Sequence, residues 1–493
     1  MVHPFADRKT VRPARIRVAA IPLLLALFLL ITPSLFAQTE KAQSDNAQTQ
    51  RLLSMFDQVF HFVQNNYVDK VDSNTLIEGA LKGLFDSLKD PFSAYLTADQ
   101  MRSLTDTTSG EFGGVGMYIS KQTAQNGSHE PLYIEVVSPI EDTPAYHAGI
   151  HAGDLILKVG DKSTADMTVD EMVSRLRGAP GTKVTITVQR GATLKFPVTL
   201  VRSLIEVPTV KRDMIPLNGS IEGGIGYLRI IQFTPYTADR VREAIGFFKQ
   251  HDYTSMIIDL RNDPGGLLNA VVETADMFFS DGIIVGTKSR ISEENQTFYA
   301  TPGQLVPSDL PIAVLVDGGT ASAAEILSGA MKDRGRGYLI GEKTYGKGSV
   351  QQVRAVGDGG FRLTMAKYFT PSGVFIDKKG IEPNRIDAPP KLSDAEQQAY
   401  VKLISEQLVQ KFVKNHPDPS NGDIDTFISD LKSQDIPLDA RTVRFLVKAE
   451  VARVTNTPIV YDLDYDTVLS DAVRMLKNGE IHPSVNEALP VTP

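Results

Sequence analysis

The spacing of apolar residues along this chain changes several times, and each change predicts a different kind of element. An unbroken apolar run, Val18 to Ile31, follows Arg8, Lys9, Arg12, Arg15 and Arg17 and gives way after Leu35-Phe36-Ala37 to the polar Gln38. From Arg51 the spacing becomes helical. Leu52, Leu53, Phe56, Val59, Phe60 and Val63, then Leu76, Ile77, Ala80, Leu81, Leu84 and Leu88, mark two amphipathic helices. Strand-like runs follow at Tyr118 to Ser120, Leu132 to Val137 and Val184 to Arg190, with a helix among them that starts at the capping box Thr168-Val169-Asp170-Glu171. Beyond Pro208, short apolar strands alternate with helical stretches: Gly226 to Ile231 before Ala238 to Phe248, Ser255 to Leu260 before Leu267 to Phe279, and Ile312 to Val316 before a helix that ends near Met331. Repeated strand-helix units predict a mostly parallel sheet with helices packed on it. After Pro389-Pro390 the spacing is helical again, at 392–413, 424–433, 440–454 and 467–478.

A chain of 493 residues exceeds one hydrophobic core, and its 42% hydrophobic and 22% charged residues are those of an ordinary globular protein. Residues 1–37 have the basic start, apolar middle and small-residue end of a secretory signal peptide. An uncleaved membrane anchor is the alternative reading of the same run, and it would bring membrane association with it. Loss of the segment removes five basic residues and Asp7, taking the formal charge from −8 to about −12. An acidic body without a basic stripe argues against nucleic acid as a partner. Cysteine is absent, which excludes disulfides and thiol catalysis. His147 and His151 are spaced as on a metal-binding helix, but Gly149 and Gly153 break that helix, so no metal and no cofactor is expected. His251 precedes Asp259 and invites a Ser/His/Asp reading, although its place between a helix and a strand suits a surface turn.

The chemistry is concentrated between Pro311 and Gln352. The apolar run Ile312 to Val316 breaks at Asp317-Gly318-Gly319, and Thr320-Ala321-Ser322-Ala323-Ala324-Glu325 then opens a helix. A serine at such a corner meets unpaired N–H groups and the positive end of the helix dipole, both of which favour an oxyanion. Downstream lies Thr344-Tyr345-Gly346-Lys347-Gly348-Ser349, with Gln351 four past the lysine. A serine nucleophile needs a base, and a lysine serves only as free amine, so its pKa must fall from about 10.4 to near 7. That shift costs roughly 4 to 5 kcal/mol, which burial supplies, so Lys347 is expected to be buried.

Thr320 to Ile326 followed by Gly341 to Gln351 resembles the active-site signature of the C-terminal processing (tail-specific) serine peptidases, family S41. The resemblance implies Ser322 as nucleophile, Lys347 as general base and Gln351 as the residue that orients the lysine. It also implies an oxyanion hole made by the Ala323 amide with Gly265 or Gly266, from the turn Asp263-Pro264-Gly265-Gly266, where relatives commonly have Asn in place of Asp263. The run Gly113-Gly114-Val115-Gly116-Met117, the Thr168 helix and the closing strand together resemble a PDZ domain of secreted proteases. Gly114, Val115, Gly116 and Met117 would then take a chain-terminal carboxylate, and Val115, Met117 and Met172 a nonpolar last side chain. Arg177 would contact the peptide or couple the module to the core.

The expected architecture is therefore multidomain α/β: signal peptide or anchor 1–37, linker 38–50, helical region 51–105, inserted PDZ domain 106–205, peptidase core 206–390 built as a crotonase-like spiral of β-β-α units, and helical region 391–493. The expected function is an exported serine endopeptidase acting on proteins with nonpolar C-termini. A non-catalytic peptide-binding adaptor on the same fold is the alternative. A homodimer is a further expectation, through the N-terminal helices, which could instead cap the core, or through the C-terminal helical region.

Overall fold

The computed structural model describes residues 46–121, 132–140, 142–191, 193–388, 392–457 and 459–482. The leader and most of the linker lie outside the described residues. The chain divides into a unit ending at Lys89 and a second beginning at Asp90. The first consists of a helix at 46–66 and a second, Ser73–Asp86, whose start is capped by Asp72 accepting from the Asn74 N–H. Both carry apolar side chains in water: Leu52, Phe56, Val59, Phe62, Ile77 and Leu84 are exposed.

The larger unit is organised around a six-stranded sheet in the order Val210–Leu217, Ser220–Ile230, Ser255–Asp259, Ile312–Val316, Tyr338–Gly341, Arg385–Ile386. Its first pair is antiparallel and the rest run parallel. Every residue of Ser255–Asp259 and Ile312–Val316 is buried, because both faces of the sheet are covered. Helices Thr237–Gln250, Leu268–Asp276 and Ala323–Asp333 pack on one face. The other face is closed by Thr467–Lys477, whose Val468, Leu469, Ala472, Met475 and Leu476 meet Ile257, Ala313, Leu315 and Ile340. A second, antiparallel sheet carries Ala94–Leu96, Gly359–Phe369, Ile283–Ser289 and Gln296–Tyr299, with Ser349–Val356 paired to the long 359–369 strand.

Residues 111–206 form a smaller lobe with its own core. Its sheet runs Met117–Lys121, Ile134–Pro139, Leu155–Val159, Lys183–Arg190, Leu194–Val201, and the helix Val169–Leu176 lies on it. The capping box read from the sequence at Thr168 and Glu171 is present. In the tail the expected helix over 392–413 is two, Asp394–Ser405 and Leu408–Asn415, because Gln407 takes φ 54° and turns the chain. These and the two helices that follow share a cluster of their own. The last helix belongs instead to the core. Replacing Leu469, fully buried against the central strands, with alanine should therefore cost about 2–5 kcal/mol of stability. Urea unfolding checks this, and a loss no larger than that at the exposed Val454 would show that the helix is not part of the core.

Candidate active site

The strand Ile312–Val316 ends in a turn held by one carboxylate. Asp317 Oδ1 accepts from the N–H groups of Gly319 (2.9 Å), Thr320 (3.0 Å) and Asn262 (2.9 Å), while the Thr320 hydroxyl donates to the Leu260 carbonyl (2.8 Å). The ends of two neighbouring parallel strands are thus laced together. Ser322 follows with φ 55° and ψ −114°, at the N-cap of Ala323–Asp333 but outside the extended conformation that capping residues adopt. Such a backbone costs a residue with a Cβ about 1–3 kcal/mol, so the surroundings must impose it. They do so on both sides: the Ala321 N–H donates to the Asp263 carbonyl (2.9 Å) and the Ser322 N–H to Glu325 Oε2 (2.9 Å).

The Asp263-Pro264-Gly265-Gly266 turn abuts the serine. Gly265 has φ 94°, and a Cβ there would lie 2.7 Å from both the Ser322 Cβ and the Ala323 nitrogen, so no other residue fits. Its own N–H donates to Asp263 Oδ1 (2.8 Å), and its carbonyl accepts from Phe233 (3.0 Å). Because C=O and N–H point oppositely across a trans peptide, the Gly266 N–H is directed away from Phe233. Among the described residues neither it nor the Ala323 N–H has an acceptor. Asp263 is fully buried with Oδ2 unpartnered, and burial pushes its pKa well up, opposed only by the Gly265 N–H.

Glu325, a residue that sequence reasoning treated only as a helix former, joins serine to lysine. It is fully buried, and Oε2 accepts from the N–H groups of Ser322 and Lys347 (2.8 Å) while Oε1 accepts from the Thr344 hydroxyl (2.5 Å) and the Gly346 N–H (2.7 Å). Burial pushes its pKa up against these four donors. An acid inside an otherwise apolar helix start was the signal available in the sequence.

Lys347 is half-buried. Burial lowers its pKa, nearby Arg362 lowers it further, and Glu325 opposes both. The chain here must be glycine-rich, since a Cβ on Gly348 would lie 2.1 Å from the Asp377 nitrogen. The ammonium lies 5.4 Å above the centre of the Phe92 ring, and no hydrogen bond joins it to Ser322 among the described residues. Gln351 donates to the Ser349 carbonyl (3.0 Å) and hydroxyl (2.7 Å), and among the described residues no hydrogen bond joins it to Lys347.

In the smaller lobe, Gly114 and Gly116 flank Val115. Thr143 Oγ1 (2.9 Å) and the Ile140 N–H (3.0 Å) both donate to the Gly116 carbonyl. Val115 and Met172 lie inside the lobe's core and Met117 is partly buried against it. Arg177 pairs with Asp106 and stacks 4.8 Å over Phe112. His251 contacts Glu222 (2.8 Å), far from the buried Asp259, which accepts from Tyr227 and Arg261. No group of three or more potential metal ligands occurs among the described residues.

Comparison with known proteins gives the arrangement its setting. The model of peptidase family S41 matches residues 224–386, a PDZ domain model matches 135–190, and the N-terminal domain model of the activating protease CtpB matches 32–100. The carboxy-terminal-processing protease of Bartonella bacilliformis is 39% identical over 367 residues, 73% of this chain and 81% of that one. The chain belongs to peptidase family S41. A further relative, the carboxy-terminal processing protease CtpA of Bacillus subtilis, is 33% identical over 366 residues, 74% of each chain. Among solved structures, the photosystem II D1 C-terminal processing protease is 27% identical and covers 67% of this chain and 92% of its own, with a TM-score of 0.39. This S41 chain is thus a serine-type peptidase of the carboxy-terminal processing family and carries a PDZ domain.

Asp263 supplies a test of the turn in this S41 site. Its folded pKa is raised above the unfolded one, so its ionisation opposes folding, and stability is lost as pH climbs from the unfolded value toward the folded one. Asp263→Asn keeps an oxygen for the Gly265 N–H and removes the ionisation. The variant should match the wild type in melting temperature near pH 4 and exceed it increasingly toward neutral pH. A constant difference across that range would refute the buried, rising carboxyl.

Proposed function

We propose that this chain is an exported endopeptidase that captures nonpolar C-terminal tails in its PDZ domain and cleaves with Ser322 and Lys347. The observation that carries the reading is Ser322, at φ 55°, packed against Gly265 of the Gly265-Gly266 turn, with the N–H groups of Ala323 and Gly266 unused. Lys347, as free amine, takes the Ser322 proton while the oxygen attacks the scissile carbonyl. The tetrahedral oxyanion is received by the Ala323 and Gly266 N–H groups, since Gly265 already spends its own on Asp263. The lysine ammonium returns the proton to the leaving amine, and water, activated by the same amine, hydrolyses the acyl-enzyme. For this the Lys347 side chain leaves the Phe92 ring and reaches Ser322, with Gln351 turned from Ser349 to hold it.

Other parts of the chain support the reading. The order Val210–Leu217, Ser220–Ile230, Thr237–Gln250 is one β-β-α unit, consistent with a crotonase-like spiral. The basic and apolar leader favours export, and no helix among the described residues is long and apolar enough to cross a membrane. Retention of serine, lysine and the glutamine weighs against a binding adaptor, which would need none of them.

Ser322→Ala and Lys347→Ala should each lower kcat about 10³-fold or more on an unfolded protein with a nonpolar C-terminus. Because only the free amine works, kcat/KM should rise with pH through a Lys347 pKa below the ordinary lysine range. Cleavage that survives both substitutions would sink the assignment, and absence of cleavage by any form would favour the adaptor.

The exposed apolar face of the N-terminal helices fits a second copy of the chain. Sedimentation at micromolar concentration should give a dimer that Phe56→Glu with Val59→Glu converts to monomer. An unchanged mass would remove these helices as the interface.

A further inference from the structure

The S41 family model ends at residue 386, yet a side chain from far beyond it reaches the catalytic turn. Arg261 opens the segment that leads to Pro264-Gly265-Gly266. Its guanidinium is gripped from two sides: Nε and Nη2 donate to Asp259 Oδ1 (2.9 Å) and Oδ2 (2.6 Å), and Nη1 and Nη2 donate to Asp466 Oδ1 (2.9 Å) and Oδ2 (2.6 Å). Bidentate pairing of this kind fixes orientation as well as position. The side chains are little exposed, 16% for Arg261, none for Asp259 and 24% for Asp466. Burial alone would push the Asp259 carboxyl up, but Arg261 and the Tyr227 hydroxyl, 2.7 Å away, hold it below the usual range.

Asp466 has a second duty. It is the N-cap of Thr467–Lys477 and accepts from the Leu469 N–H (3.0 Å). The helix that closes the sheet therefore begins at the carboxylate that holds Arg261. Past Arg261 the chain has little freedom: the Asn262 N–H is tied to Asp317, the Asp263 carbonyl to Ala321, and Gly265 fits against Ser322. A shift of Arg261 must pass directly into the turn that carries Gly266.

We infer that Asp466 is a positioning residue for catalysis, which holds Arg261 from the C-terminal helix and thereby sets the Gly266 N–H against the Ser322 corner. The inference rests on the proposed Ser322 chemistry and extends it to a segment outside the matched family region. Asp466 touches no substrate; it acts through Arg261.

Helix capping and Arg261 binding can be separated, because Asn and Ser cap helices about as well as Asp. Asp466→Asn keeps the cap and one oxygen for Arg261, whereas Asp466→Ser keeps the cap and withdraws from Arg261 altogether. Asp471→Asn serves as comparator, since Asp471 pairs with Arg385 and Arg474 and, among the described residues, makes no hydrogen bond or ion pair with the turn. Steady-state kinetics of the full-length chain on one peptide reporter, with melting temperatures and Ser322→Ala in parallel, provide the test. Loss of a whole oxyanion donor costs about 10²–10³ in kcat, so a displaced donor should lower kcat of Asp466→Ser about tenfold or more. Asp466→Asn should fall between it and wild type, KM should change less than about twofold, and Asp471→Asn should keep its kcat within about twofold. Full kcat in Asp466→Ser, a loss confined to KM, or an equal loss in Asp471→Asn would overturn the inference. Should the serine variant fail to fold, the nearly isosteric asparagine variant decides by the same criteria. Cleavage by Ser322→Ala would instead refute the nucleophile, whereas an inert Ser322→Ala beside a fully active Asp466→Ser would refute only the positioning role.

Discussion

One enclosed carboxylate, Glu325, holds the two halves of the candidate site together. The serine comes from the start of a helix on the main sheet, and the lysine from a loop that leads into the second sheet. The strands before them are paired, Val316 beside Gly341, and the Tyr345 N–H donates to the Thr320 carbonyl (3.0 Å), so Glu325 adds a side-chain link to segments the backbone already brings together. The four donors that converge on Glu325 come from both sides, two of them from Ser322 and Lys347 themselves. Removing a charge from water is costly unless its lone pairs are satisfied, and here the satisfaction requires the two segments to sit side by side. The cost of burial and the geometry of the site are one constraint.

The sheet supplies the frame for that constraint. Strands covered on both faces leave their carboxyl ends as the places where polar groups gather, and the chain places its fixed turns there. Asp259 ends one of two adjacent strands, Ser255–Asp259 and Ile312–Val316, and Arg261, Asp263, Asp317 and Ser322 follow their ends. Backbone groups in these turns are assigned to particular carboxylates. The Ala323 N–H, which follows the serine, and the Gly266 N–H, in the turn whose Gly265 abuts it, are left unassigned.

Much of this was legible in the sequence because periodicity and punctuation carry it. The runs 255–260 and 312–316 could be read as buried strands from their unbroken apolar character, and the helix starting at Thr168 from its capping box. Gln407 shows where the reading stopped, since its left-handed backbone has no sequence mark and splits what the apolar spacing presents as one helix. Val115 and Met172, which the PDZ resemblance gives as lining for a nonpolar last side chain, are enclosed in the lobe's core, and the resemblance does not show which apolar side chains of the lobe stay open. Glu325 and Asp466 were missed for a common reason. Each acts through partners distant in sequence, 19 to 22 residues for the lysine-side donors of Glu325 and 205 for Arg261 to Asp466, and no local pattern records such pairings. The closing helix was legible as a helix, but its docking on the core was not.

That last helix has a consequence for the order in which the molecule comes into being. Chains emerge from the ribosome amino end first, and domains fold as they appear. The face of the sheet that Thr467–Lys477 covers stays bare until that helix has emerged, long after the strands it covers. A nascent chain thus holds its serine and lysine well before the helix that closes its scaffold has been made.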